Sequence, residues 1–153
     1  MSNRWFGCVR LAIVTAVAVA VAGVAPSNAA AQSGFVVVVN ASNPATSISK
    51  GDLSKLFTKK ARSWPSGSAA MPVDLAPGNP IRDAFTEKVH GKSPRALSSY
   101  WQQQIFSGRE VPPPERKSDD EVLDYIRSNA GAVGYVATAT RLGAGVKTLA
   151  VTD

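Results

Sequence analysis

The chain has 153 residues, 17 of them basic and 11 acidic, a formal net charge of +6, and its 44% hydrophobic content is enough for one domain with its own core. A single cysteine and a single histidine exclude a disulfide framework and a His-rich metal site. The basic excess is mild and no aromatic residues interleave with it, which argues against a nucleic-acid partner.

Arg4 and Arg10 precede an apolar run from Leu11 to Val24, and small residues follow as far as Ala31. This is the pattern of a secretory signal over residues 1–31, with Ala29 and Ala31 as the cleavage motif before Gln32. The run is shorter than the ~20 residues that span a bilayer, and an uncleaved anchor is the alternative. Export to the periplasm or the outside is therefore expected, with a domain over residues 32–153. Cys8 lies ahead of the apolar run, where it is badly placed for a lipid anchor, and its removal would leave the exported chain without a thiol.

Phe35 to Asn40 is a continuous valine-rich run, the pattern of a strand buried on both faces. Asn43-Pro44 turns the chain, and Ser49 with Asp52 three residues later starts a helix whose inner face is Leu53, Leu56 and Phe57. Five basic residues between Lys50 and Arg62 could steer an anion or lie on a solvated face. Trp64 to Gly67 reads as a turn and Met71 to Ala76 as a second strand. Asn79-Pro80 caps a helix carrying Ile81, Ala84, Phe85 and Val89 as far as Gly91. Ser93-Pro94 repeats that start for a helix with the stripe Leu97, Tyr100, Trp101 and Ile105, closed by Gly108.

Three consecutive prolines make Val111 to Lys117 an extended strap. Ser118 and Glu121 form a capping-box signature for a fourth helix with Val122, Tyr125 and Ile126 facing inward, and Asn129-Ala130-Gly131 ends it. Ala132 to Ala137 and Val146 to Val151 are the last two strands. The alternation predicts an α/β fold with an open, mostly parallel sheet flanked by helices, and ligands beyond the strands' carboxyl ends. Two loops follow from that rule, 41–46 and 77–82, with Ser42, Asn43, Gly78, Asn79 and Arg82 as candidate ligand-binding residues. His90 sits where a helix dipole favours a cation and is read as structural. No catalytic residue, metal site or cofactor is expected: no Ser-His-Asp elbow is present, and Asp119, Asp120 and Glu121 suit capping. The aromatic residues Tyr100, Trp101, Phe106, Tyr125 and Tyr135 are at spacings that suit core packing better than a ligand platform.

The ordered series Val36 to Asn40, Leu53 to Phe57 with Trp64-Pro65, Gly78 to Phe85, Tyr100-Trp101, Phe106 to Gly108 and Gly131 to Val136 resembles small phosphate ABC-transporter substrate-binding proteins of the type II periplasmic-binding-protein-like superfamily. It resembles their second lobe only, so a single-lobe domain is implied. The resemblance implies a non-catalytic solute binder in the envelope, a small oxyanion such as phosphate as ligand, and a membrane permease or other envelope protein as partner. At the positions where full phosphate binders carry an arginine, an acid and a Ser-Gly-Thr turn, this chain has Leu75, Pro77, Asn79, Pro80 and Ile81. Pro80 has no N–H to donate and Leu75 no charge, so anion binding is expected to be weak at most. The alternatives are an envelope interaction module that kept the fold and lost the ligand, and, as a third class, a hydrolase.

Overall fold

In a computed structural model, residues 34–153 are described, so the expected signal over residues 1–31 lies outside them. β1 (Phe35–Asn40), β2 (Ser47–Ser49) and α1 (Lys50–Phe57) open the chain, followed by β3 (Met71–Pro72), β4 (Asp74–Leu75) and α2 (Pro80–Phe85). A π-helical turn (Thr86–His90) extends α2, and α3 (Pro94–Phe106), β5 (Glu115–Arg116), α4 (Asp119–Ser128), β6 (Ala132–Ala137) and β7 (Val146–Thr152) complete the order. The helix starts are those the sequence specifies. Ser49, Asn79, Ser93 and Ser118 each accept a backbone N–H with their side chain. The capping box closes differently from its usual form, because Glu121 accepts from the N–H of Lys117 and not of Ser118.

Five strands form one sheet in the order β2-β7-β1-β6-β3. The α/β layering is as expected, but strand direction differs at the centre. β1 pairs antiparallel with both β6 and β7, and parallel pairing is confined to the short partners β2, β3 and the separate β4-β5 pair. The valine run of β1 reports burial on both faces, which helices on either side impose whichever way the neighbouring strands run. Phe35, Val37 and Val39 lie on the face shared with Val133 and Tyr135, beneath α2, with Phe57 of α1 against Tyr135. There Phe85 stacks on Tyr135 with ring centroids 3.9 Å apart, and Phe57 and Phe35 close on Phe85 at 4.8 and 5.2 Å.

The opposite face carries α4, whose buried residues are Val122, Leu123 and Ile126; Tyr125 is half-buried with Arg116 over its ring. A Cβ at Gly134 would stand 2.9 Å from methyl groups of both Val122 and Val73, so α4 rests directly on the β6 backbone. Gly134→Ala is expected to cost about 1–3 kcal/mol through this overpacking, read as a lower urea midpoint with an unchanged slope.

The expected strand Met71 to Ala76 is split. Val73 donates to the carbonyl of Val133, whereas Asp74 donates to that of Pro114, so the chain leaves β6 at this point and pairs with the proline strap. The α3 stripe holds for Leu97 and Trp101 but not for its last residue: Ile105 is 51% exposed, and the neighbouring Phe106, expected in the core, is 90% exposed. The core beneath α3 ends before the helix does. Of the basic residues between 50 and 62, Lys50 pairs with Asp153, Lys55 with Asp52 and Arg62 with Glu110.

Candidate functional site

The antiparallel arrangement of β1 and β6 decides where the candidate residues lie. Phe35 pairs with Ala137 and Asn40 with Val146, while β3 runs parallel to β6. The loop after β1 therefore leaves one end of the sheet and the loop after β4 leaves the other. Ser42 and Asn43 are at the first end. Both the N–H and the hydroxyl of Ser42 donate to Oδ1 of Asn40, at 2.9 and 2.6 Å. Asn43 is buried, and its Oδ1 accepts from the N–H of Ala45. These two side chains fold their own turn, as Asn and Ser do in short loops.

Gly78, Asn79 and Arg82 are at the second end. Gly78 adopts φ +84°, which glycine alone takes without cost, and it turns the chain into α2. Oδ1 of Asn79 is used by the N–H of Ile81, 2.9 Å away. Arg82 reaches back from the first turn of α2 to two carboxylates: Nη2 lies 3.1 Å from Oδ2 of Asp74 and Nη1 lies 2.9 Å from Oε1 of Glu115. Its side chain is 12% exposed. The guanidinium thus ties α2 to β4 and to the strap, and little of it remains for a solute.

Asp74 is 5% exposed. Its Oδ1 accepts from the N–H of Leu75 and from the hydroxyl of Tyr135. Burial pushes the Asp74 carboxyl above the ordinary range, against the opposing pull of the Arg82 charge and the two hydrogen bonds. The Tyr135 hydroxyl is pushed up strongly, first by burial and then by the Asp74 charge. Asp74, Glu115 and Tyr135 were not among the sequence candidates. A lone acid inside the otherwise apolar segment Met71 to Leu75 is the signal that points to them, since a buried carboxylate needs a partner.

Above this cluster a cavity of about 260 Å³ opens between α2, α3 and the strap. Pro77, Leu97, Trp101, Ile105 and Pro112 supply its apolar walls, and Arg82, Asp83, Ser98, Gln102 and Glu115 its polar edge. Of the five sequence candidates the groove gathers Gly78 and Arg82, with Asn79 between them occupied as a cap.

His90 lies away from the groove, against Phe57 and Phe85, with Nδ1 2.8 Å from Oγ of Ser54. Burial first, and the nearby Lys92 charge second, lower its pKa to about 4. The helix end was expected to favour the cation; loss of hydration outweighs the dipole here. Among the described residues no cluster of His, Cys, Asp and Glu could hold a metal ion, and no helix is long and apolar enough to cross a membrane.

The fold is shared with solved phosphate-transport proteins. A Clostridium perfringens protein, described provisionally as a phosphate ABC transporter substrate-binding protein and solved with bound phosphate, superposes with a TM-score of 0.62 at 19% identity, over 77% of this chain and 44% of that one. An ABC-type phosphate transport receptor from Vibrio cholerae superposes with a TM-score of 0.58 at 19% identity, over 77% of this chain and 46% of its own. The chain spans less than half the length of these proteins. Among proteins of curated function none matches. The model of the family described as PBP superfamily domain matches residues 18–152, starting within the expected signal segment and covering every described element. The chain belongs to the PBP superfamily domain family and has the α/β fold of one part of a phosphate-binding protein.

Proposed function

We propose that this chain is an exported, non-catalytic binding module built on one lobe of the solute-binding fold, which holds a small ligand weakly in the groove between α2, α3 and the strap. The observation that carries this reading is the engagement of Arg82 by Asp74 and Glu115. Gly78 and Arg82 line this groove, but the one guanidinium on it among the described residues is neutralised from within. The phosphate chemistry named for the related transport proteins therefore comes to this chain in attenuated form, and delivery to a permease would rest on other contacts. A one-sided groove also leaves most of a small ligand wet, which limits affinity. Isothermal titration with phosphate and sulfate is expected to give dissociation constants no tighter than the millimolar range; a micromolar phosphate constant would refute this reading. The non-catalytic part of this reading is supported by the position of His90, the one histidine, which packs against Phe57 and Phe85 and is not on the groove.

A second reading rests on Ile105 and Val111, exposed on one shallow depression between the end of α3 and the start of the strap, and on the exposed Phe106 next to Ile105 in the chain. Large exposed apolar side chains in one place mark contact surfaces. An envelope protein could cover them in a module that has lost its ligand. Co-purification of a stable partner, abolished by Phe106→Asp while small molecules leave the protein unchanged, would favour it.

A further inference from the structure

The cavity between α2, α3 and the strap has a charge pattern opposite to that of an oxyanion site. Arg82 is the only basic residue on its lining among the described residues, and Asp74 from behind and Glu115 from the rim neutralise it more than fully. Asp83, the next residue of α2, also lines the cavity and makes no ion pair among the described residues. With Asp74, Asp83 and Glu115 against one guanidinium, the rim is net negative. The walls are apolar, and Trp101 presents an aromatic surface to the same space. Resting on the reading that this groove is the binding site, we propose that it selects small organic cations: an apolar body of about one ring ending in a protonated amine.

Size and chemistry both bear on this choice. A dry apolar cavity of about 150 Å³ holds a benzene ring, so about 260 Å³ admits a ring with a short arm. Leu97, Trp101 and Pro112 would contact the ring, and the ammonium would lie at the edge toward Asp83 and Glu115, where it can stay hydrated while facing two carboxylates. A matched anion would meet those carboxylates without a free donor cation to offset them. An inorganic oxyanion would in addition gain nothing from the apolar walls.

The test uses three probes of one shape: phenethylammonium, 2-phenylethanol and phenylacetate. Each is titrated into the ¹⁵N-labelled protein while amide shifts at Leu97, Gln102 and Asp83 are followed. Phenethylammonium is expected to bind about five- to tenfold more tightly than the alcohol, and phenylacetate more weakly than either. Asp83→Asn should remove most of the preference for the amine and leave the alcohol's affinity in place. Added salt should weaken the amine and spare the alcohol. If the alcohol binds as tightly as the amine, or the acid binds best, the charge selection is wrong while the groove remains a binding site. If none of the three moves these amides, the cation inference fails together with the binding-site reading beneath it.

Discussion

Arg82→Ala is expected to destabilise the protein by about 3–5 kcal/mol, the cost of leaving a buried charge without its partner. Asp74 is the residue left behind. It is 5% exposed, and after the loss of Arg82 only the Tyr135 hydroxyl and the Leu75 N–H remain on its carboxylate. Glu115, being partly exposed, can return to water. Burial already raises the Asp74 pKa, and removing Arg82 takes away the first opposing influence, so the variant's carboxyl should bind a proton at still higher pH. The folded variant then binds protons that the unfolded chain does not, and the loss should shrink as the pH is lowered. Urea unfolding of the variant at neutral and mildly acidic pH tests both statements. Adding Asp74→Asn should recover part of the stability, because a neutral amide is cheaper to bury alone. A loss below about 1 kcal/mol at neutral pH would mean that the pair is as dispensable as a surface ion pair.

The second large effect is an acid limb in stability set by His90. Its folded pKa of about 4 lies below the ordinary value of 6.5, so between these values the unfolded chain binds a proton that the folded protein refuses. The associated stability is fully present above pH 6.5, falls as the pH drops and is exhausted near 4. A shift of that size corresponds to about 3 kcal/mol. Asp52, held low by Lys55 and Ser49, and Asp153, held low by Lys50, lose their contributions only at lower pH, while Asp74 changes in the opposite sense. The comparison with His90→Asn isolates the histidine, since an amide, which carries both a donor and an acceptor, can pair with Ser54 Oγ in either direction and does not titrate. Unfolding midpoints measured across this range should fall steeply for the native protein and stay flatter for the variant. Parallel curves would show that the imidazole titrates normally.

Much of the fold was legible because its signals are local. The four helix starts are set by one side chain bonding a backbone N–H two or three residues away, and Ser49, Asn79, Ser93 and Ser118 declare this in the sequence. β1 and β6 occupy the spans read from their apolar runs. The exposed end of α3 was less legible. Periodicity assigns Ile105 to the inner face but cannot say where the core beneath that face stops. β2 and β5, of three and two residues, carry no pattern long enough to read and exist through their partners β7 and β4.

The candidate site divides along the same line. The caps, the glycine turn at Gly78, the extended strap and the scarcity of histidine and cysteine are legible along the chain, because each depends on residue type and near neighbours. What those residues have to work with came from the folding of distant segments against one another. The antiparallel pairing of β1 and β6 separates Ser42 and Asn43 from Gly78 and Arg82, and the path of the strap brings Glu115 to Arg82, 33 positions away along the chain. Asp74 and Tyr135, 61 positions apart, meet for the same reason. Strand direction and long-range charge pairing leave no periodic trace in a single chain. They are fixed by which surfaces bury together, and here that burial made Arg82 an internal tie between α2, β4 and the strap.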